Sequence, residues 1–283
     1  MKRRKFLKTL FQSSIGAYAI ANSASSLAFA GRTRLSRIGL QLYTVRKQLE
    51  ADFEGTLAKA ASLGYKEVEF AGYFNHPPTE IKTVLNRYNL KAPSAHITTS
   101  VLKGSLREAI ETAHVIGHEY IVCAYLPAEE RRTLDDYKRL IERFNTAGEE
   151  FAKSGIQFAY HNHDFEFVNV ESKVPYDLIL SETDTNKVRL EIDLYWMAKA
   201  GHNPLEYFHK YPGRFPLVHV KDMDATPKKY FTEVGKGTID FKKLFASASL
   251  AGFKHYFVEQ DETPGSPFSS IEVSIDYLRN IEF

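Results

Sequence analysis

The strongest constraint on the fold is a repeated alternation of short apolar runs with longer amphipathic segments. Strand-like runs lie at residues 38–42, 67–70, 91–96, 119–124, 157–161, 188–193, 216–220 and 255–259. Helical patterns lie between them, at residues 49–63, 78–88, 105–116, 133–153, 174–181 and 240–251. Because parallel pairing of successive strands requires a crossover, this alternation predicts a parallel sheet covered by helices.

The number of these units selects one α/β architecture over another. Eight units in about 250 residues favour a closed (β/α)8 TIM barrel over an open, doubly wound sheet. A nucleotide-binding sheet of the Rossmann type would carry a glycine-rich loop after its first strand, and here the residues are Gln41, Leu42, Tyr43 and Thr44. The region after residue 30 has no linker-like segment, so the sequence predicts one barrel domain over residues 31–283.

The first thirty residues have the composition of a targeting segment. Arg3 and Arg4 precede a weakly apolar run that lacks acidic residues and ends Ala28-Phe29-Ala30. This pattern resembles a twin-arginine signal peptide, which predicts export, most simply to the periplasm. The alternative is an uncleaved amphipathic anchor. Because the run lacks the ~20 strongly apolar residues of a membrane span, we expect no stable membrane insertion after processing.

Composition limits the classes of partner. Hydrophobic residues make up 43% of the chain, as in globular proteins, and the formal net charge is only +2, which argues against nucleic acid as a partner. The single cysteine, Cys123, cannot form an internal disulfide and is expected in the core. Association into a homo-oligomer stays open at this level.

Polar side chains end four successive predicted strands. His161, Asp193, His219 and Glu259 follow one another at spacings of 32, 26 and 40 residues, each about one strand-helix unit. Because neighbouring barrel strands lie ~5 Å apart and chemistry sits at their carboxyl ends, the four side chains can converge on one divalent metal ion. Mixed imidazole and carboxylate ligands suit Mn, Zn, Fe or Co better than Ca, and the expected cofactor is one divalent ion of Mn, Zn, Co or Mg. Taken singly, each histidine could be a core residue and Asp193 a helix cap.

Several motifs together resemble the xylose isomerase-like TIM barrel superfamily, often described as sugar phosphate isomerases and epimerases. They lie at residues 38–44 (IGLQLYT), 160–167 (YHNHDFEF), 193–196 (DLYW), 219–222 (HVKD) and 234–241 (VGKGTIDF). The resemblance implies a metal site of Glu, Asp, His and Glu, of which Asp193, His219 and Glu259 match the last three. His161 stands where the family commonly has glutamate, and the ligand role is carried over to it.

The resemblance also implies chemistry on a carbohydrate. We expect a metal-dependent isomerase or epimerase that removes a proton next to a carbonyl through an enediolate. Glu259 is the expected base, with His163 and Glu166 as further candidates. Loss of the family glutamate at His161 leaves open a lyase acting on 3-keto-glycosides, and a non-catalytic sugar-binding barrel is the other alternative. A nuclease of the endonuclease IV kind is disfavoured by the near-zero net charge.

Other polar or aromatic residues near the strand ends are candidates for contact with the substrate. These are His96, Glu69, Lys221 and Trp196. Asp222 is expected to support His219 through a hydrogen bond. The segment at residues 234–237 either closes over the substrate, binds an anion or forms a plain turn.

Overall fold

The computed structural model describes residues 33–283 as a closed barrel of eight parallel strands with helices around it. The strands are β1 (Gly39–Gln41), β2 (Glu67–Phe70), β3 (Lys91–Ile97), β4 (Tyr120–Cys123), β5 (Gln157–His161), β6 (Val188–Asp193), β7 (Leu217–Val220), β8 (Asp222–Met223), β9 (Phe231–Thr232) and β10 (His255–Val258). The barrel order is β1-β10-β7-β6-β5-β4-β3-β2, and β8 and β9 form a separate antiparallel pair. The predicted barrel is confirmed.

The helices follow the strands in the expected alternation. They are α1 (Arg46–Ala51), α2 (Phe53–Leu63), α3 (Pro78–Arg87), α4 (Thr99–Lys103), α5 (Arg107–Ile116), α6 (Leu134–Lys153), α7 (Pro175–Glu182), α8 (Leu194–Lys199), α9 (Pro204–Lys210), α10 (Phe241–Phe245), α11 (Ala248–Ala251) and α12 (Pro267–Asn280). None of the helices in residues 33–283 is long and apolar enough to cross a membrane. The predicted export signal lies outside the described residues.

Two predicted helices are each divided in the structure. The helix predicted at residues 49–63 is interrupted at Asp52, whose backbone is extended and whose carboxylate accepts a hydrogen bond from the Gly55 amide at 2.9 Å. The carboxylate therefore caps α2, and the chain turns there instead of continuing α1. The helix predicted at residues 240–251 is split into α10 and α11.

Alternation along the strands separates the helix-facing side chains from the barrel interior. Tyr160 of β5 points outward, because its ring stacks on Phe144 of α6 with centroids 5.0 Å apart. Its neighbour His161 therefore points inward. The middle of the interior is apolar and is filled by the buried side chains of Tyr120, Val122, Ala159, Leu217 and Phe257. Polar residues occupy the layers above these side chains, toward the carboxyl ends of the strands.

Candidate metal centre and active-site cavity

The four predicted metal ligands meet at the carboxyl ends of the strands. One potential ligand atom from each of His161, Asp193, His219 and Glu259, together called the upper cluster, lies within 4.8 Å of every other. His219 Nδ1 lies 2.9 Å from Glu259 Oε2, and His161 Nε2 lies 3.4 Å from Asp193 Oδ2. All four residues are at most 6% exposed. Two carboxylates and two imidazoles at this spacing fit one divalent cation.

The hydrogen bonds on the far side of both imidazole rings favour the ligand role. His161 Nδ1 lies 3.1 Å from the Ala124 carbonyl oxygen, and His219 Nε2 lies 2.7 Å from Glu69 Oε2. Because those oxygens only accept, each ring can donate a proton away from the upper cluster. With the protons on His161 Nδ1 and His219 Nε2, the other ring nitrogens, His161 Nε2 and His219 Nδ1, are left to bind a metal ion, as in metal-binding histidines.

Asp193 combines both roles that the sequence allowed. Its Oδ1 accepts a hydrogen bond from the Trp196 amide at 2.9 Å and so caps α8, while its Oδ2 faces the upper cluster. Asn162 fixes the Asp193 backbone, since its side chain accepts from the Asp193 amide at 3.0 Å. The helix cap thus holds the carboxylate in the orientation that a metal ligand needs.

Lys221 adds a buried positive charge beside the upper cluster. Its Nζ lies 3.1 Å from Asp193 Oδ2, 2.8 Å from Glu259 Oε2 and 3.0 Å from Asp261 Oδ1. Burial works against the charged form, but the three carboxylates raise the pKa of Lys221 well above its ordinary range. Lys221 is therefore a charged neighbour of both the cluster and the cavity. The contribution of Asp261 was missed from the sequence, although it lies two residues after Glu259.

A second set of titratable groups lies deeper in the barrel. This lower cluster consists of Glu69, His96, Glu191 and the far side of the His219 ring. His96 Nε2 lies 2.7 Å from Glu191 Oε2 and 3.3 Å from Glu69 Oε2. Burial lowers the pKa of His96, but the two carboxylates outweigh it and raise the pKa to about 10. An imidazolium at His96 therefore compensates part of the buried negative charge.

Two residues of the lower cluster, Glu69 and Glu191, have roles that the sequence did not predict. Glu69, predicted to contact the substrate, is fully buried and accepts hydrogen bonds from the Gln41 side-chain amide and from His219. It therefore orients His219. Glu191 was missed, although strand alternation places it on the same face as Asp193, two residues deeper.

A cavity of about 510 Å³ opens above the upper cluster. Of the predicted site residues, His96, His161, His163, Lys221 and Glu259 line it, and the other lining residues are Tyr43, Ala71, Gly72, Ile97, Thr98, Ala124, Tyr125 and Asp261. Trp196 does not line the cavity. Its ring packs against those of Tyr195, Phe231 and His163, so Trp196 supports the wall of the site instead of contacting the cavity.

His163 and Glu166, two of the candidate bases, occupy different environments. The His163 ring faces the cavity edge-on to Tyr125, and its Nδ1 has no hydrogen-bond partner among residues 33–283. The Glu166 carboxylate is fully buried, away from the cavity lining, and accepts from the Tyr160 hydroxyl and, at 2.8 Å, from the His163 amide. This position favours support of His163 over the predicted role of Glu166 as a base.

The buried Glu166 carboxyl makes protein stability depend on pH. Burial raises its pKa from 4.5 to about 7, so the folded protein holds this proton more tightly than the unfolded chain does. The free energy of unfolding therefore falls as pH rises from about 4.5 to 7. Glu166→Gln removes this titration, and the wild type should lose up to about 3 kcal/mol relative to the variant across that window. Urea unfolding at pH 5 and pH 8 measures the difference, with exposed Glu129→Gln as the control. Parallel pH profiles for wild type and Glu166→Gln would contradict it.

The contacts of Asp222 differ from the expected hydrogen bond to His219. Its carboxylate accepts hydrogen bonds from the amides of Met223, Gly235, Gly237 and Ile239 at 2.8–3.2 Å, and not from His219. A Cβ added at Gly237 would lie 2.3 Å from Asp222 Oδ1, so the glycine is required for this close approach. The segment at residues 234–237 is therefore a turn whose amide groups bind an internal carboxylate.

Comparisons with known proteins agree with this architecture. A sequence model of the xylose isomerase-like TIM barrel family matches residues 57–281. An inosose dehydratase from Geobacillus kaustophilus is 25% identical over 263 residues, which cover 78% of this chain and 85% of the relative. One from Lacticaseibacillus casei is 26% identical, over 81% of this chain and 89% of the relative. The solved structure of a sugar phosphate isomerase/epimerase from Parabacteroides distasonis superposes with a TM-score of 0.74 and 29% identity, covering 92% of this chain and 97% of that chain.

Proposed function

Since this chain belongs to the xylose isomerase-like TIM barrel family, we propose that it is a metal-dependent lyase acting on a sugar-like ketone. The observation that carries the proposal is the upper cluster, buried beside Lys221 at the base of a cavity. The relatives named inosose dehydratase, which match most of the chain, support elimination as the reaction. The export signal predicted at residues 1–30 would place the enzyme in the periplasm.

The upper cluster is the part of the site that would hold the metal ion. When bound by His161, Asp193, His219 and Glu259, a divalent ion supplies Lewis acidity that polarises the carbonyl of the substrate. The lower cluster maintains the orientation of His219 through its Nε2–H. Lys221 keeps Asp193 and Glu259 charged, because burial alone would favour their protonated forms.

The reaction requires a base that removes the proton next to the carbonyl. His163 lines the cavity, its amide donates to Glu166, and its buried Nδ1 has no hydrogen-bond partner among the described residues. Glu259 also lines the cavity, but Lys221 and His219 already bind its carboxylate. We therefore assign the proton transfer to His163. The electron pair left on carbon forms a carbon–carbon double bond as the C–O bond one carbon further breaks. The proton taken up by His163 passes to the departing oxygen, which leaves as water or as an alcohol.

Isomerisation or epimerisation is the second candidate. It shares the first proton transfer, but the proton returns to carbon and no group leaves. The Parabacteroides distasonis protein, named sugar phosphate isomerase/epimerase, favours this alternative because its likeness spans nearly the whole of both chains.

Solvent exchange separates the two reactions. The protein, loaded in turn with Mn, Zn, Co or Mg, is incubated in D2O with inosose and with a 3-keto-glucoside. A lyase yields an unsaturated ketone that absorbs in the ultraviolet, and mass spectrometry shows loss of water or of the leaving group. An epimerase or isomerase incorporates deuterium without that loss. If neither substrate exchanges a proton with any metal, both reactions are excluded for these ketones.

A further inference from the structure

The cavity is divided between the two halves of the barrel. The upper cluster comes from the carboxyl ends of β5, β6, β7 and β10. The opposite wall comes from residues just after β1 to β4, and it consists of Tyr43, Gly72, Thr98 and Tyr125 with their neighbours. None of these four is a His, Asp, Glu or Cys, so this wall adds no ligand to the upper cluster.

Tyr43 and Tyr125 are large exposed side chains in this wall. Tyr43 is 43% and Tyr125 46% exposed, although most aromatic rings of the described chain are buried. Exposed aromatic rings that line a cavity mark ligand contacts, because their apolar faces gain from being covered. The two rings follow β1 and β4, which are separated by β2 and β3 around the barrel, and so they stand on opposite sides of this wall.

Both tyrosines are held in place by their neighbours. The Arg46 guanidinium lies 3.9 Å from the centroid of the Tyr43 ring, and its Nη1 donates to the carbonyl oxygens of Tyr43 and Asp261 at 2.7 and 3.0 Å. The Tyr125 ring packs edge-on against His163 and Phe165, at 5.2 and 5.5 Å between centroids. Since the rings are ordered before any ligand binds, little conformational entropy is lost on binding.

Free space lies between the tyrosines. A Cβ added at Gly72 would meet no atom within 4 Å, and the cavity volume of about 510 Å³ exceeds that of one sugar ring. We propose that Tyr43 and Tyr125 form a subsite for a second sugar ring, so that the enzyme takes a glycoside and not a free monosaccharide. The inference rests on the proposed function, in which the first ring lies over the upper cluster. The apolar C–H face of the second ring covers the tyrosine rings.

Binding measured without turnover tests the subsite. Calorimetric titration of the metal-loaded protein with D-glucose and with cellobiose, neither of which carries the ketone, compares one ring with two. We expect cellobiose to bind about tenfold more tightly than glucose. Tyr43→Ala and Tyr125→Ala should each weaken cellobiose binding about five- to tenfold and change glucose binding less than twofold. Tyr43→Phe should retain the affinity for cellobiose.

The control is Tyr230→Ala, which removes an equally exposed tyrosine outside the cavity lining and should change neither affinity. Equal affinity for the two sugars, absence of binding, or an equal loss for both sugars in the tyrosine variants would overturn the subsite. Because the probes are not turned over, a tyrosine-dependent preference for cellobiose without any ketone chemistry would retain the subsite and reject the proposed function.

Discussion

Asp193→Asn should remove the metal ion and nearly all activity. The substitution keeps an oxygen to cap α8 at the Trp196 amide, but it replaces the Oδ2 that faces His161 and His219. We expect metal content to fall from about one ion per chain to a few per cent of that value. Turnover should fall about a hundredfold to a thousandfold. Metal analysis of the dialysed protein measures the first effect, and the ketone assay the second.

The control for this variant is a buried carboxylate elsewhere in the barrel. Glu67 pairs with His255 at 2.8 Å, near the amino ends of the strands and outside both clusters. Glu67→Gln removes a buried charge without touching the upper cluster, so its metal content should equal that of the wild type. Full metal content in Asp193→Asn, or a wild type that takes up no Mn, Zn, Co or Mg, would reject the assignment of the site.

Lys221→Met should destabilise the metal-free protein strongly. The ammonium contacts Asp193, Glu259 and Asp261, and without it these buried carboxylates repel one another. Loss of one partner from such a buried set costs about 3–5 kcal/mol in the free energy of unfolding. A divalent ion restores positive charge at two of the same carboxylates, so bound metal should stabilise this variant more than it stabilises the wild type.

Urea unfolding in EDTA and in excess zinc or manganese measures both effects. Lys210→Met is the control, because Lys210 pairs with Asp177 on the surface and its loss should cost less than about 1 kcal/mol. A free energy of unfolding within 1 kcal/mol of wild type for Lys221→Met in EDTA would show that the three carboxylates are compensated in another way.

The barrel and the convergence of the four predicted ligands followed from local patterns in the sequence. Each of His161, Asp193, His219 and Glu259 lies at the carboxyl end of a strand, and successive members are separated by about one strand-helix unit. These two features place the four side chains at a common depth, whatever the details of packing. The same alternation, applied further, would have excluded the expected contact between Asp222 and His219. Since His219 points inward, Asp222 three residues later points outward, where it binds the 235–239 amides.

The lower cluster was harder to predict, because its contacts join strands that are not neighbours. Glu69 on β2 binds His219 on β7, and two strands, β1 and β10, separate them around the barrel. That contact depends on the diameter of the barrel and on side-chain length across its interior. The orientation of Glu166 depends likewise on its local turn, which reverses the chain toward Tyr160. The signal at residues 1–30 stays a prediction from sequence alone.

The division of the cavity between two halves of the barrel has an evolutionary consequence. Side chains after β1 to β4 can change while the ligands on β5, β6, β7 and β10 stay in place, because the two sets lie on separate strand ends. Gene variants that exchange Tyr43 or Gly72 would therefore explore new substrates while inheriting an intact reaction centre. For protein engineers, the same separation makes the first four loops the natural place for a mutant library.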